Sequence, residues 1–277
     1  MKQRIISNTN PEWPNFEIEF DKPILFFNDY FNESELDHIS ENYFKILYLR
    51  EAEAINPMRD KVIRNYKKFN VILTFDDIVL KTCPNSFMLL FGSAWVHNYN
   101  FVPKEFSASH ITGHKMMAPG HKLRQQINAN QDIITIPKNF YVSKHGYLNN
   151  MHNNPILGDG KEPLFKSQFH ICIENSQQIN YFTEKIMDCF VTKTIPIYWG
   201  CPNIGDFFDT SGMFIVSSFD DIIKICNSLN ETTYERVLDA ANKNYLTAQK
   251  YIDITKNLEN ELNDILKSSD FVTVYNA

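Results

Sequence analysis

The chain is 277 residues long, is 43% hydrophobic and carries a formal net charge of −6. That length and apolar content can build one large domain or two small ones, and the acidic balance counts against a general nucleic-acid binder, which shows a basic field. No run approaches the roughly 18 apolar residues that cross a bilayer, and the opening MKQRIISNTNPEWPNFEIEF lacks the apolar middle of a signal peptide. The expectation is a soluble, cytoplasmic or otherwise intracellular protein without an integral membrane segment.

The five cysteines are odd in number and form no CxxC pair, which favours buried free thiols over disulfides or zinc. Only nine glycines are present, with no GxGxxG and no Walker A loop. A bound nucleotide would therefore be held without either glycine-rich phosphate cradle.

In chain order, KPILFFNDYF from Lys22 reads as a strand and turn, and Ser34–Phe44 as a helix. KILYLRE (Lys45–Glu51) is a strand that stops at the acidic cluster EAEAINP. MRDKVIRNYKKF is then a helix, NVILTF a strand, DDIVLKTC a short helix and NSFMLLFG a strand. Strand and helix alternate about every ten residues, the pattern of a parallel sheet covered by helices. The second half repeats it. EFSASHITGH (Glu105–His114) is a strand entering a polar loop, GHKLRQQINAN a helix and QDIITIP a strand. The segment Lys144–Pro163 is loop by its Asn, His and Gly content. QFHICIE is a strand, TEKIMDCFVTK a helix, TIPIYWG a strand, MFIVSSF a strand and FDDIIKICNSL a helix. From Thr233 the apolar residues recur at helical spacing, which predicts a helical tail. Two α/β units result, 1–100 and 101–277, the tail counted with the second.

Ligands of such folds gather at the carboxyl ends of the strands. There lies FHICIENSQQINYFTEK (Phe169–Lys185), where Glu174, Asn175, Tyr181, Glu184 and Lys185 crowd one loop. Thr183 suits an N-cap. The helix behind it would aim free N–H groups and its positive dipole end at the loop, and Lys185 adds a full charge, a combination suited to a diphosphate. Tyr181 could stack on a base or bond a phosphate. Glu184 either compensates the helix dipole or accepts hydrogen bonds from sugar hydroxyls.

The stretch Phe169–Ile204, with its E-N-S-x4-Y-x-T-E-K core and following P-I-Y-W-G strand, resembles the C-terminal motif of family 10 glycosyltransferases, the α-1,3/1,4-fucosyltransferases, and among them the soluble bacterial and viral members. The resemblance implies a GT-B-like fold of two facing Rossmann-like units, with an acceptor-side N-terminal domain and a nucleotide-sugar-binding C-terminal one. It implies inverting transfer of fucose from GDP-fucose to a glycan hydroxyl by single displacement. It also implies that no tightly bound cofactor and no divalent metal is required, and no site residue is assigned to a metal. ITGHKMMAPGHKLRQQI is similar to the family segment that supplies a phosphate-binding arginine, which makes Arg124 the candidate. LYLREAEAINP is similar to the segment bearing the proposed catalytic base, with Glu51 the better match and Glu53 its rival, because Ala52 and Glu53 stand where the family has other residues. Donor contacts fall to Arg124, Lys185, Glu184, Tyr181, Asn175, Ser176 and Thr183, and to Glu174, which contacts donor or backbone. Asn175 and Ser176 could equally form a turn that holds the loop. His170 reads as a satisfied core histidine, and His114 or His121 as a phosphate or acceptor contact; His110, His145 and His152 match no metal spacing. The pairs Asp76–Asp77 and Asp220–Asp221 read as helix N-terminal or solvated residues. Two other readings stay open: a transferase of the same fold with another nucleotide sugar, and a non-catalytic GDP- or glycan-binding protein.

Overall fold

The computed structural model describes residues 2–4, 17–20, 22–96, 99–144, 147–148 and 158–268. The chain divides into two compact units, Met1–Phe91 with Asp253–Ala277, and Gly92–Ile252.

In the first unit a small antiparallel pair, β1 (Lys2–Arg4) and β2 (Glu17–Glu19), precedes the main sheet. That sheet is built from β3 (Ile24–Asn28), α1 (Glu33–Leu36), β4 (Phe44–Leu49), α2 (Arg59–Asn65), β5 (Val71–Thr74), α3 (Asp77–Thr82) and β6 (Ser86–Met88). Its four strands pair in parallel in the order β3-β4-β5-β6. Successive side chains point to opposite faces. Phe27, Leu47 and Ile72 thus pack with Leu36, Val62 and Val79 from the three helices, while Phe26, Ile46, Tyr48, Val71 and Leu73 face the other way. Asp76 caps α3 by accepting from the N–H groups of Ile78 and Val79 at 3.0 and 3.1 Å, the helix N-terminal role its sequence position suggested.

The second unit contains β7 (Glu105–Thr112), α4 (Pro119–Ala129), β8 (Lys138–Lys144), β9 (Tyr147–Leu148), β10 (Ser167–Ile173), α5 (Glu184–Val191), β11 (Ile195–Trp199), β12 (Phe214–Ile215), α6 (Phe219–Ser228) and α7 (Thr233–Ala248). The order is β12-β11-β10-β7-β8-β9, parallel except for the β8–β9 pair. From β7 the chain moves outward through α4 to β8; from β10 it moves the opposite way through α5 to β11. The winding therefore reverses between β7 and β10, and a doubly wound sheet offers its ligand crevice at such a point. β10 and β11 are buried almost throughout, as strands covered on both faces must be.

Two sequence expectations are corrected. QDIITIP is not a strand: Gln131–Ile133 is a 3-10 turn, Ile134 and Ile136 plug the core, and β8 begins only after Pro137. Part of the expected loop is also helical, with Gly158–Lys166 forming a 3-10 helix.

The helical tail splits. α7 stays with the second unit, whereas α8 (Ile254–Lys267) returns to the first. Its Leu258, Leu262 and Ile265, spaced i, i+4, i+7, cover the Phe26–Ile46–Tyr48 face that the other helices leave bare. The expected assignment of the whole tail to 101–277 is corrected for this helix, because an apolar sheet face needs a cover. No helix among the described residues is long and apolar enough to cross a membrane.

Leu262 is fully buried, so Leu262→Ala should lower unfolding stability by about 2–5 kcal/mol, read from the shift of the chemical denaturation midpoint. A shift near zero would mean that α8 is a dispensable tail.

Candidate donor-binding site

β10 ends at Ile173, and Glu174 follows with its side chain turned inward and 0% exposed. Its Oε1 accepts from the Thr183 backbone N–H at 2.9 Å, and its Oε2 from the Thr183 hydroxyl at 2.7 Å. One carboxylate thus ties the strand end to the start of α5. The Thr183 hydroxyl oxygen also accepts from the Lys185 N–H at 3.4 Å and the Lys185 ammonium at 3.0 Å, completing the N-cap. Lys185 Nζ lies 3.0 Å from Glu184 Oε1 and 3.7 Å from Glu174 Oε2.

The loop between these ends is pinned at two further places. Asn180 adopts φ 62°, a left-handed conformation that asparagine tolerates better than most residues. It exchanges two amide hydrogen bonds with Asn203, both 2.8 Å. On the other side Arg124 of α4 donates to the Ile173 carbonyl and, at 2.9 Å, to Asn175 Oδ1. The Gly120 N–H donates to the Asn175 carbonyl at 3.0 Å, and a Cβ on Gly120 would overlap the Glu174 carbonyl. This glycine is required by the close approach of helix to loop.

The electrostatics follow from burial and pairing. Burial pushes the Glu174 carboxyl upward, with Lys185 opposing and Glu184 reinforcing that shift. Burial also works against ionisation of Glu184, but Lys185 and Lys161 outweigh it and hold the carboxyl down to about 2. Burial and then Arg124, Lys115 and Lys185 press His121 down to about 4. Its Nδ1 accepts from the Ala118 N–H at 3.2 Å, so it serves α4 as a neutral cap. His170 is buried and meets Ser109 Oγ at 2.8 Å through Nδ1, the satisfied core histidine its strand position suggests. His145 and His152 lie outside the described residues.

A cleft of about 640 Å³, counting its open mouth, lies at the carboxyl ends of β7, β8 and β10, where the winding reverses. Arg124, Glu184 and Lys185 line it together with Thr112, Gly113 and Ser143. Glu174, Asn175 and Thr183 stand directly behind as its supports, through the bonds described above. Ser176 and Tyr181 are buried, the latter 2% exposed. The Tyr181 ring is turned into the interior in this structure. Lys161, which no sequence motif marks, also lines the cleft. Its partner Asp188 is a charged residue inside the otherwise apolar IMDCFV run of α5, and a charge in such a run signals a buried partner.

The other two candidates belong to the first unit. β4 runs into a loop braced by Asp29, whose Oδ1 accepts from the N–H groups of Arg50 and Glu51 at 2.7 and 3.0 Å. The Glu51 side chain is exposed. Glu53 Oε2 instead accepts from the Arg59 N–H at 3.1 Å, at the start of α2. Among the described residues no three His, Cys, Asp or Glu side chains gather as a metal-ligand group.

Two parallel-sheet α/β units, the second doubly wound with cations at its switch point, define an α/β protein of the GT-B-like fold class. The model of glycosyltransferase family 10 (fucosyltransferase), C-terminal part, matches residues 121–270. That is more than half of the chain, and the chain belongs to this family. A curated relative, the alpha-(1,3)-fucosyltransferase FucT of Helicobacter pylori, is 41% identical over 58 residues, which are 21% of this chain and 12% of that relative. Among solved structures, an alpha1,3-fucosyltransferase covers 90% of this chain and 79% of its own at 18% identity and a TM-score of 0.57. An alpha1,3-fucosyltransferase with GDP-fucose covers 87% and 78% at 19% identity and a TM-score of 0.50. The GtfA/B complex covers 89% and 57% at 12% identity and a TM-score of 0.56. At these identities the three structures speak for the fold.

Glu184 is held below its ordinary value of 4.5 in the folded state, at about 2. Its contribution is therefore present above the unfolded value and is lost as pH falls from 4.5 toward 2. Acid titration of stability should show a shallower loss across that window in Glu184→Gln than in the parent chain; equal slopes would contradict the pairing with Lys185 and Lys161.

Proposed function

We propose that the chain is an inverting glycosyltransferase that moves fucose from GDP-fucose to a hydroxyl of a glycan acceptor in a single displacement. The observation that carries this reading is the convergence of Arg124 from α4 with Glu184 and Lys185 from the start of α5 on the cleft at the β7–β10 switch point, beside a loop whose ends are joined by Glu174. A displacement at the anomeric carbon needs positive groups where charge builds on the leaving diphosphate. Arg124, Lys185 and the start of α5 take that part, so the reading needs no metal. The exchange also needs a base for the acceptor proton. Glu51 is assigned that role in preference to Glu53, because LYLREAEAINP places it as the better match to the family segment that bears the proposed base. Asn175, Ser176, Thr183 and Tyr181 shape the donor loop instead of touching the sugar. The similarity to an alpha-(1,3)-fucosyltransferase and to an alpha1,3-fucosyltransferase with GDP-fucose favours fucose over other sugars. The acceptor is a glycan by family membership alone.

The test is a panel of nucleotide sugars, with GDP binding followed by calorimetry and GDP release by a coupled assay. GDP-fucose should be turned over faster than GDP-mannose or UDP-sugars, and an absence of GDP binding would sink the proposal. With GDP-fucose and a saccharide that accepts, Glu51→Gln should lower kcat by about 100-fold or more with GDP affinity preserved. A larger loss in Glu53→Gln than in Glu51→Gln would exchange their roles.

A further inference from the structure

Three cations line the cleft, and they differ in how many of their N–H groups the protein already uses. Lys185 has three protein oxygens around Nζ: Thr183 Oγ1 at 3.0 Å, Glu184 Oε1 at 3.0 Å and Glu174 Oε2 at 3.7 Å. Arg124 spends its guanidinium on the Ile173 carbonyl and Asn175 Oδ1. Lys161 has one carboxylate partner, Asp188 Oδ2 at 2.7 Å, with side-chain exposures of 8% and 0%. Its ammonium also lies 4.4 Å from the centre of the Trp95 ring. An ammonium has three donors. Asp188 takes one and the aromatic face occupies a second direction, which leaves a third for a ligand in the cleft that Lys161 lines.

Asp188 is itself held rigidly. Its Oδ1 accepts from the backbone N–H groups of Trp95 and Val96 at 2.7 and 3.1 Å, while Oδ2 faces Lys161. It stands one helical turn beyond Glu184 on α5, on the same side of the helix. The ammonium is thus fixed on one side by a rigidly held carboxylate, on a side chain that lines the cleft. A buried ion pair adds little to stability compared with an apolar pair of similar volume, so its placement at the wall of a cleft calls for a use there.

We infer that Lys161 is a direct ligand of the donor's diphosphate and that Asp188 is the positioning residue that holds it. This rests on the donor reading proposed above. It adds to Arg124 and Lys185 a third diphosphate contact, a lysine outside the E-N-S…T-E-K loop.

The experiment is GDP binding by calorimetry to the full chain and to three variants. Lys161→Met should weaken GDP by about tenfold or more, the size of one lost charge-assisted hydrogen bond. Lys161→Arg, which keeps the charge, should stay within about threefold of the parent, well inside that same margin. Because Lys161→Met strands a buried carboxylate, Lys161→Met with Asp188→Asn supplies the folding control: the Asn carbonyl still accepts from the Trp95 and Val96 N–H groups. This double variant should fold with a Tm near that of the parent and bind GDP as poorly as the single one. Unchanged GDP affinity in the double variant overturns the inference, as does an equal loss in Lys161→Arg and Lys161→Met. A parent chain that does not bind GDP at all overturns the donor reading itself, a separate and recognisable outcome.

Discussion

The second unit depends on one buried carboxylate. Glu174 takes two hydrogen bonds from Thr183, nine residues further along the chain, and so closes the loop that joins β10 to α5. Burial alone would favour its neutral form, and Lys185 opposes that shift. Each residue between the two ends inherits its position from this closure. Asn175 is turned toward Arg124, Asn180 is held left-handed against Asn203, and the Gly120 N–H meets the Asn175 carbonyl. The motif spacing thus has a mechanical meaning: its first glutamate and its threonine are the two halves of one clasp, and the lysine that follows stabilises the charge on it.

The clasp also explains how a protein with few glycines can shape a candidate anion site. Glycine-rich cradles present backbone N–H groups by letting the chain approach the phosphate closely. In this cleft the charges are carried on side chains, each fixed by a partner. Lys185 is held by Thr183 and two glutamates, Lys161 by Asp188, and Arg124 by the loop carbonyl it supports. Burying such charges unpaired would be prohibitive; paired, they are already oriented when a ligand arrives. Donors fixed in this way need little reorganisation when charge builds up on a leaving group.

Much of this architecture is legible in the chain. Apolar strands such as FHICI and IPIYW, alternating with helical segments, lead to parallel sheets, and the E-N-S…T-E-K segment leads to the site. What is not legible has physical causes. The tail's periodicity shows that α8 has an apolar stripe but not which sheet face lacks a cover, because that depends on how the other helices are distributed. QDIITIP reads as a strand by composition, yet its isoleucines serve as core plugs after a 3-10 turn. Tyr181 has the chemistry of a ligand residue and is instead buried, since the clasp folds its part of the loop inward. Lys161 follows a polar, loop-like stretch and carries no motif. Its trace in the sequence is Asp188, a charge placed among Ile186, Met187, Cys189 and Phe190, all buried on α5.

The same device recurs wherever a loop must be shaped. Asp29, itself at φ 57°, gathers the N–H groups of Arg50 and Glu51 at the end of β4. Asp76 caps α3, Asp188 holds the Trp95–Val96 backbone, and Glu174 holds Thr183. In each case a carboxylate satisfies backbone donors that would otherwise go without a partner. This changes the meaning of the formal charge of −6. An acidic chain would be expected to repel a diphosphate if its carboxylates lay on the cleft surface. Glu174 and Asp188 are instead turned into the protein and spent on N–H groups and ammonium ions. The cations they hold line the cleft beside Glu184, whose carboxylate is itself paired with Lys185, so the composition and the candidate anion site are compatible.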